Sequence, residues 1–138
     1  MLYHDSGLLG LSGISNDVRE LLASKSPHAA LAIDFFCLRV AQAIASLAVP
    51  LGGLDGPVFT AGIGENAAEI GQRVVEHLRW AGLSLDADAN RRDATRIDGG
   101  RSSARIFVVP TDEERMIGRH TLRLLKEHAM AELAAVPA

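Results

Sequence analysis

The chain has 138 residues, 48% of them apolar and 22% charged, with a net charge of −3 and a single cysteine. That size and balance describe one globular domain with a hydrophobic core and exclude a disordered chain. Lys and Arg are spread along the sequence, whereas nucleic acid or an anionic membrane surface calls for a concentrated basic face, and no run of eighteen or more uninterrupted apolar residues marks a membrane span.

The N-terminus, Met1-Leu2-Tyr3-His4-Asp5, has neither the basic region nor the apolar run of a signal peptide. Cys37 has no intrachain partner, which suits a reducing cytoplasm, and its place in an apolar helical run makes it a small buried hydrophobe. The segment from Ser6 to Gly13 is rich in glycine and poor in charge and reads as a loop. Ser15 is placed to cap a short helix running to about Ala23. Ser26-Pro27 is a second helix start, a capping hydroxyl followed by proline at the first helical position. From His28 to Ala48, apolar residues fill most of the helical circumference, which predicts burial on more than one side, and Pro50 with Gly52-Gly53 ends the run.

Pro57-Val58-Phe59-Thr60 reads as a buried strand. It leads into a glycine loop, Ala61-Gly62-Ile63-Gly64-Glu65-Asn66, and then a helix on which Ile70, Val74 and Leu78 step by four, closed by Gly82. Leu83-Ser84-Leu85 is a candidate short strand, and residues 86–103 read as a polar loop. Arg105 to Val109 is the clearest strand pattern. Pro110 closes it, and Thr111 with Glu114 forms an expected capping box on a last helix whose semi-apolar face carries Met116, Ile117, His120, Leu124 and Leu125. The alanine-rich stretch at 129–138 reads as a flexible tail. Trp80, Phe35 and Phe36 are expected in the core. Strands separated by helices imply a parallel sheet in an α/β fold, here an incomplete one with exposed edges.

Three segments are candidates for chemistry. The strand–glycine loop–helix unit lies where α/β folds place ligands, and its glycines let backbone approach a phosphate or ribose. It is neither a P-loop nor a full dinucleotide fingerprint, so a purely conformational role for the glycines stays open. Thr111 to Glu114 suits a helix cap. Glu113, which the cap leaves unused, is also a candidate Mg²⁺ ligand beside nucleotide phosphates. Asp17 and Arg19 suit either a solvated helix start or hydrogen bonds to a ribose or base edge. The histidines show no metal-ligand spacing.

Together and in this order, the three segments resemble the acetate kinase family. Residues 6–19, ending Ser15-Asn16-Asp17-Val18-Arg19, are similar to its SGLLG-SGIS-D-R segment. Leu51 to Asp55 followed by Val58 to Asn66 is similar to its adenosine-binding segment, and Val109 to Glu114 with Met116-Ile117 to its PT(N/D)EE segment. The match runs from about Ser6 to His128, so residues 1–128 are read as the C-terminal nucleotide-binding part of such an enzyme.

The resemblance implies an actin-like, ribonuclease H-like fold of the sugar kinase and heat-shock ATPase type. It implies phosphate transfer between ATP and acetate, or a similar short carboxylate, with Mg²⁺. Carried over by position, Asp17, Val18, Arg19, Gly62, Ile63, Gly64, Glu65 and Asn66 bind ATP or ADP, and Glu113 binds Mg²⁺. No catalytic residue is assigned: the family's catalytic aspartate, phosphate-steadying arginines, second Mg²⁺-holding asparagine and phosphate loop belong to a missing N-terminal portion. The expectation is therefore a fragment inactive alone, cytoplasmic, forming a homo-oligomer, with no nucleic acid or membrane partner. The rival expectation is a non-catalytic nucleotide-binding or dimerisation module derived from the same family.

Overall fold

A computed structural model describes the backbone of residues 6–134 and the side chains of residues 6–128. Its longest element is α3, Pro27–Leu51, which begins as the sequence predicts: the Ser26 hydroxyl accepts from the His28 amide at 3.2 Å, with Pro27 in the first turn. It ends at Gly52, whose φ of +73° is a left-handed turn that favours glycine, and Gly53 donates back to the Ala48 carbonyl at 3.0 Å. Pro50 lies inside the last turn rather than ending the helix ahead of it.

One stripe of α3 is buried: Ala29, Ala32, Ile33, Cys37 and Ala41, spaced by three and four. The alanines let α1 (Gly7–Ser12), α2 (Val18–Ala23) and α5 (Ala68–His77) pack close against it. On the opposite side Leu31, Phe35 and Val49 are exposed, and so are Leu47 and Leu51 at the C-terminal end of the helix. Burial on more than one side is thus overturned. Trp80 and Phe35 are exposed as well, and Phe36 only packs at the edge of the core. By length and mean hydropathy α3 is apolar enough to cross a membrane, a property that uninterrupted-run counting missed. A packed stripe and an ion pair from Asp34 to Arg73 of α5 hold one side of it against the rest of the fold.

The rest of the core comes from Val18 and Leu21 of α2, Ile70, Val74 and Val75 of α5, and Leu78 just after it, with Leu83, Ala89, Ile97, Ile106 and Val108. Each fully buried Leu, Ile or Val contributes about 1.5–3 kcal/mol relative to exposure. Gly82 ends a 3₁₀ turn, Arg79–Ala81, that follows α5, and its φ is +83°. The polar stretch after Leu85 is not all loop. It holds α6, Ala87–Arg91, capped by the Asp86 carboxylate, which accepts from the amides of Asp88 and Ala89 at 2.9 Å each. Leu85 forms only an isolated bridge to Asp98, so Leu83-Ser84-Leu85 is not a strand.

The sheet is small and parallel, as expected. β1, Val58–Phe59, pairs with β2, Phe107–Val108, in the register Val58 to Phe107 and Phe59 to Val108. Gly56 permits the approach: a Cβ there would stand 2.2 Å from the Arg105 carbonyl oxygen. Val58 is exposed, so β1 is not the buried strand the apolar run suggested.

A further expectation fails. Residues 6–13 are not a loop but form α1, ended by Gly13 at φ +64°. The C-terminal helix, α7, spans Glu113–Ala134, so the backbone past His128 continues as helix; residues 135–138 of the expected tail lie outside the described residues. Residues 111–128 are exposed, including the apolar face of Met116, Ile117, Leu124 and Leu125.

Candidate functional site

The Asn16–Arg19 segment is aimed by a run of short hydrogen bonds. The buried Ser12 hydroxyl accepts from the Ile14 amide at 3.0 Å and donates to the Ser15 carbonyl at 3.2 Å. The Ser15 hydroxyl then accepts from the Asp17 amide at 3.0 Å. Asp17, not Ser15, caps α2: its Oδ1 accepts from the Arg19 amide at 2.8 Å. Its Oδ2 also takes the Arg19 guanidinium at 2.6 Å, and this pairing holds the Asp17 carboxyl down at about 2 and pushes the Arg19 guanidinium up. Both groups are therefore charged at neutral pH, and the Arg19 side chain stays 87% exposed.

The second wall follows β1. Thr60 donates its hydroxyl to the Val109 carbonyl at 2.8 Å, which ties the ends of β1 and β2 together. The expected glycine loop is a helical turn, α4, Ala61–Asn66. It starts at Ala61 with φ +59°, a left-handed conformation that costs an alanine about 1 kcal/mol or more. The two glycines do different work. A Cβ on Gly64 would sit 3.0 Å from the Phe59 backbone carbon, so Gly64 lets α4 fold back on the strand end. A Cβ on Gly62 would meet nothing within 4 Å, so Gly62 leaves space rather than filling a close contact. The Asn66 side chain donates to the Gly62 carbonyl at 3.0 Å and closes the turn.

Between these walls lies a cleft of about 600 Å³. Asn16, Asp17, Val18 and Arg19 line one side; Gly62, Ile63, Asn66 and Ala67 line the other. It opens beside the C-terminal end of β1, where parallel sheets place ligands, and its volume falls in the range of small-molecule sites. Of the sequence candidates, six meet here. Asn16 and Ala67 were missed as site residues: Asn16 stands inside a quoted motif and Ala67 directly follows one, and nothing in the residue type singles either out.

Gly64 and Glu65 do not line the cleft. Glu65 faces the other way, its Oε1 accepting from the Thr111 amide at 2.8 Å and the Thr111 hydroxyl at 2.9 Å, bonds that lower its carboxyl below the usual range. The Thr111–Glu114 capping box is overturned by the same contact. Thr111 is taken by Glu65, and Asp112 caps α7, accepting from the Arg115 amide at 2.9 Å. Glu113 stands exposed in the first turn of α7 and does not line the cleft.

Among the described residues no three His, Cys, Asp or Glu side chains cluster for a metal. Glu113 fits one ligand position only. That agrees with the way Mg²⁺ is commonly held, by one or two carboxylates with substrate phosphates and waters completing the octahedron.

A second cleft, of about 640 Å³, lies at the N-terminal ends of the strands between Asp55-Gly56 and residues 96–105. Its polar groups are largely spent on packing: Asp98 takes the Arg96 guanidinium at 2.7 Å and the Ile106 amide, and Ser102 and Ser103 bind backbone. Size notwithstanding, the cleft at the strand C-termini is the better candidate.

Residues 1–119 match the model of the acetokinase family. The chain is 54% identical over 126 residues to an acetate kinase of Rhodopseudomonas palustris (strain TIE-1), covering 90% of this chain and 32% of that protein. It is 53% identical to an acetate kinase of Rhizobium meliloti, with 91% and 32% covered. Among solved structures, a propionate kinase from Francisella tularensis superposes with a TM-score of 0.78 at 42% identity, over 85% of this chain and 31% of that one. Acetate kinase from Porphyromonas gingivalis gives 0.77 at 33% identity, over 88% and 32%. The chain thus spans about a third of the length of the curated relatives it matches.

Proposed function

The chain belongs to the acetokinase family, and we propose that it forms the nucleotide-binding side of a kinase that transfers the γ-phosphoryl group of ATP to the carboxylate of acetate or a similar short acid, giving ADP and an acyl phosphate. The observation that carries this reading is the cleft itself, which brings Asn16–Arg19 to face Gly62, Ile63, Asn66 and Ala67, far away in sequence, across a space suited to an adenosine. Ile63 and Ala67 offer apolar surface to a purine, while Val18 borders the cleft with its side chain buried in the core. The backbone at Gly62 offers close approach, and the Arg19 guanidinium, oriented by Asp17, offers a planar cation to a base or ribose edge. The wider architecture implied is that of the actin-like, ribonuclease H-like fold, to which this chain contributes a small parallel sheet and its flanking helices.

Mg²⁺ bound with the nucleotide would neutralise charge on the transferring phosphoryl group, and Glu113 is the residue of this chain suited to hold it. Phosphoryl transfer depends on positioning and on cationic groups around the γ-phosphate. Among the described residues, the one cationic side chain lining the cleft is Arg19, already bound to Asp17. Residues supplied from elsewhere are therefore needed for turnover, and these 138 residues alone should bind nucleotide without appreciable catalysis.

The test is acetyl phosphate formation from acetate and Mg-ATP by the purified chain, alone and with the remaining two thirds of an acetate kinase added as a separate polypeptide. Activity only in the mixture, lost in Glu113→Ala, supports the reading. Activity of the chain alone would refute the division of labour.

A further inference from the structure

We propose that Glu65 is a positioning residue and not a nucleotide contact: through Thr111 it ties the α4 turn to the start of α7 and thereby sets where Glu113 stands relative to the cleft. The inference rests on the assignment of the cleft to nucleotide and of Glu113 to Mg²⁺.

Glu65 is absent from the cleft lining, while its neighbours Gly62, Ile63 and Asn66 are part of it. Its Oε1 accepts from both the amide and the hydroxyl of Thr111. Upstream, the chain is held as far as Val109, whose amide donates to the Phe59 carbonyl at 2.9 Å and whose carbonyl accepts from Thr60. Pro110 has no amide hydrogen to donate. Downstream, Asp112 is turned into its own helix, and residues 111–128 are exposed, so no burial fixes the direction of α7. Among the described residues, the Glu65–Thr111 pair is thus the one hydrogen-bonded tie from α4 to residues 110–114, and Glu113 follows Thr111 by two residues. Movement of α4 on nucleotide binding passes to Glu113 through this tie.

The experiment compares the chain with Glu65→Ala, Glu65→Gln, Thr111→Val and Glu113→Ala, reading residue-resolved amide exchange without ligand and ADP affinity with and without Mg²⁺. In Glu65→Ala the Thr111 amide should exchange about tenfold faster or more, whereas Glu65→Gln, whose carbonyl accepts the same two bonds, should stay within about threefold of wild type. In Glu65→Ala the ADP affinity without Mg²⁺ should be unchanged within about threefold, and the gain on adding Mg²⁺ should fall to the level of Glu113→Ala. Thr111→Val should behave as a milder Glu65→Ala.

An unchanged Thr111 exchange rate would overturn the tie. A loss of tenfold or more in Mg²⁺-free ADP affinity would make Glu65 a nucleotide contact and overturn the proposal too. A wild-type chain that binds ADP with no gain from Mg²⁺ would remove the link to Glu113. If the wild-type chain bound no ADP at all, the cleft assignment would fall, and the tie would still stand or fall on the exchange data.

Discussion

The Asp17 carboxylate holds Arg19 at two points, its amide at 2.8 Å and its guanidinium at 2.6 Å, so that one side chain both starts α2 and orients the cation at the mouth of the cleft. The two roles separate by substitution. Asp17→Asn keeps an acceptor for the cap and loses the charge that orients Arg19, so it should weaken ADP binding several-fold with little change in Tm. Asp17→Ala removes both and should also lower Tm. Isothermal titration beside thermal melts checks this, and equal Tm losses in the two variants would contradict the split.

The two glycines of α4 predict opposite phenotypes. Gly62→Ala meets no neighbour and replaces a helical glycine, so the fold should be unchanged or more stable by about 0.5–1 kcal/mol, while ADP affinity falls because the methyl enters the cleft. Gly64→Ala presses on the Phe59 backbone and should destabilise by about 1–3 kcal/mol. Urea unfolding with nucleotide titration of both variants separates the roles.

Acid stability should depend on Asp98, whose carboxyl is lowered from 3.8 to about 2, chiefly by the Arg96 guanidinium and also by the Ile106 amide. A depressed folded-state value means that its contribution is complete above about pH 4 and is lost as pH falls through about 2. Arg96→Met should therefore be less stable than wild type above pH 4, with the difference shrinking toward pH 2. Denaturation measured between pH 2 and 6 tests the sign; a difference that grew on acidification would refute the assignment.

Cys37 should be inert in the folded protein. It is fully buried beneath α5, and burial pushes its thiol up to about 11. Its reaction with a thiol reagent at neutral pH should follow the population of opened molecules and accelerate in Ile33→Ala, a core truncation costing about 2–5 kcal/mol. Rapid labelling of the native wild type would contradict the packing.

What the sequence made legible was local chemistry with a strong mechanism. Ser26-Pro27 starts α3, Ile70, Val74 and Leu78 face the core, and the two strand runs pair in parallel. The glycine-rich segments were misread because glycine permits turns without demanding them: residues 7–12 and 61–66 both close into helix. The capping box failed because a carboxylate remote in sequence, Glu65, competes for Thr111, and spacing along one helix carries no sign of that. Aromatic content misled for Trp80 and Phe35, since apolarity says that a side chain prefers cover and not that this chain supplies it. The cleft required both walls. Asp17–Arg19 and Gly62–Asn66 were each ambiguous alone, and their approach is a tertiary fact that only the resemblance anticipated.

The most direct test of the account is calorimetric titration of ADP into the chain and into Gly62→Val, with amide chemical shifts followed at saturation. One binding site is predicted, with shifts confined to Asn16–Arg19 and Gly62–Ala67 and their immediate supports, and an affinity at least about tenfold weaker in Gly62→Val at unchanged fold. Equal affinity in both proteins, or shifts centred on Arg96 and Arg105 at the opposite end of the strands, would contradict it.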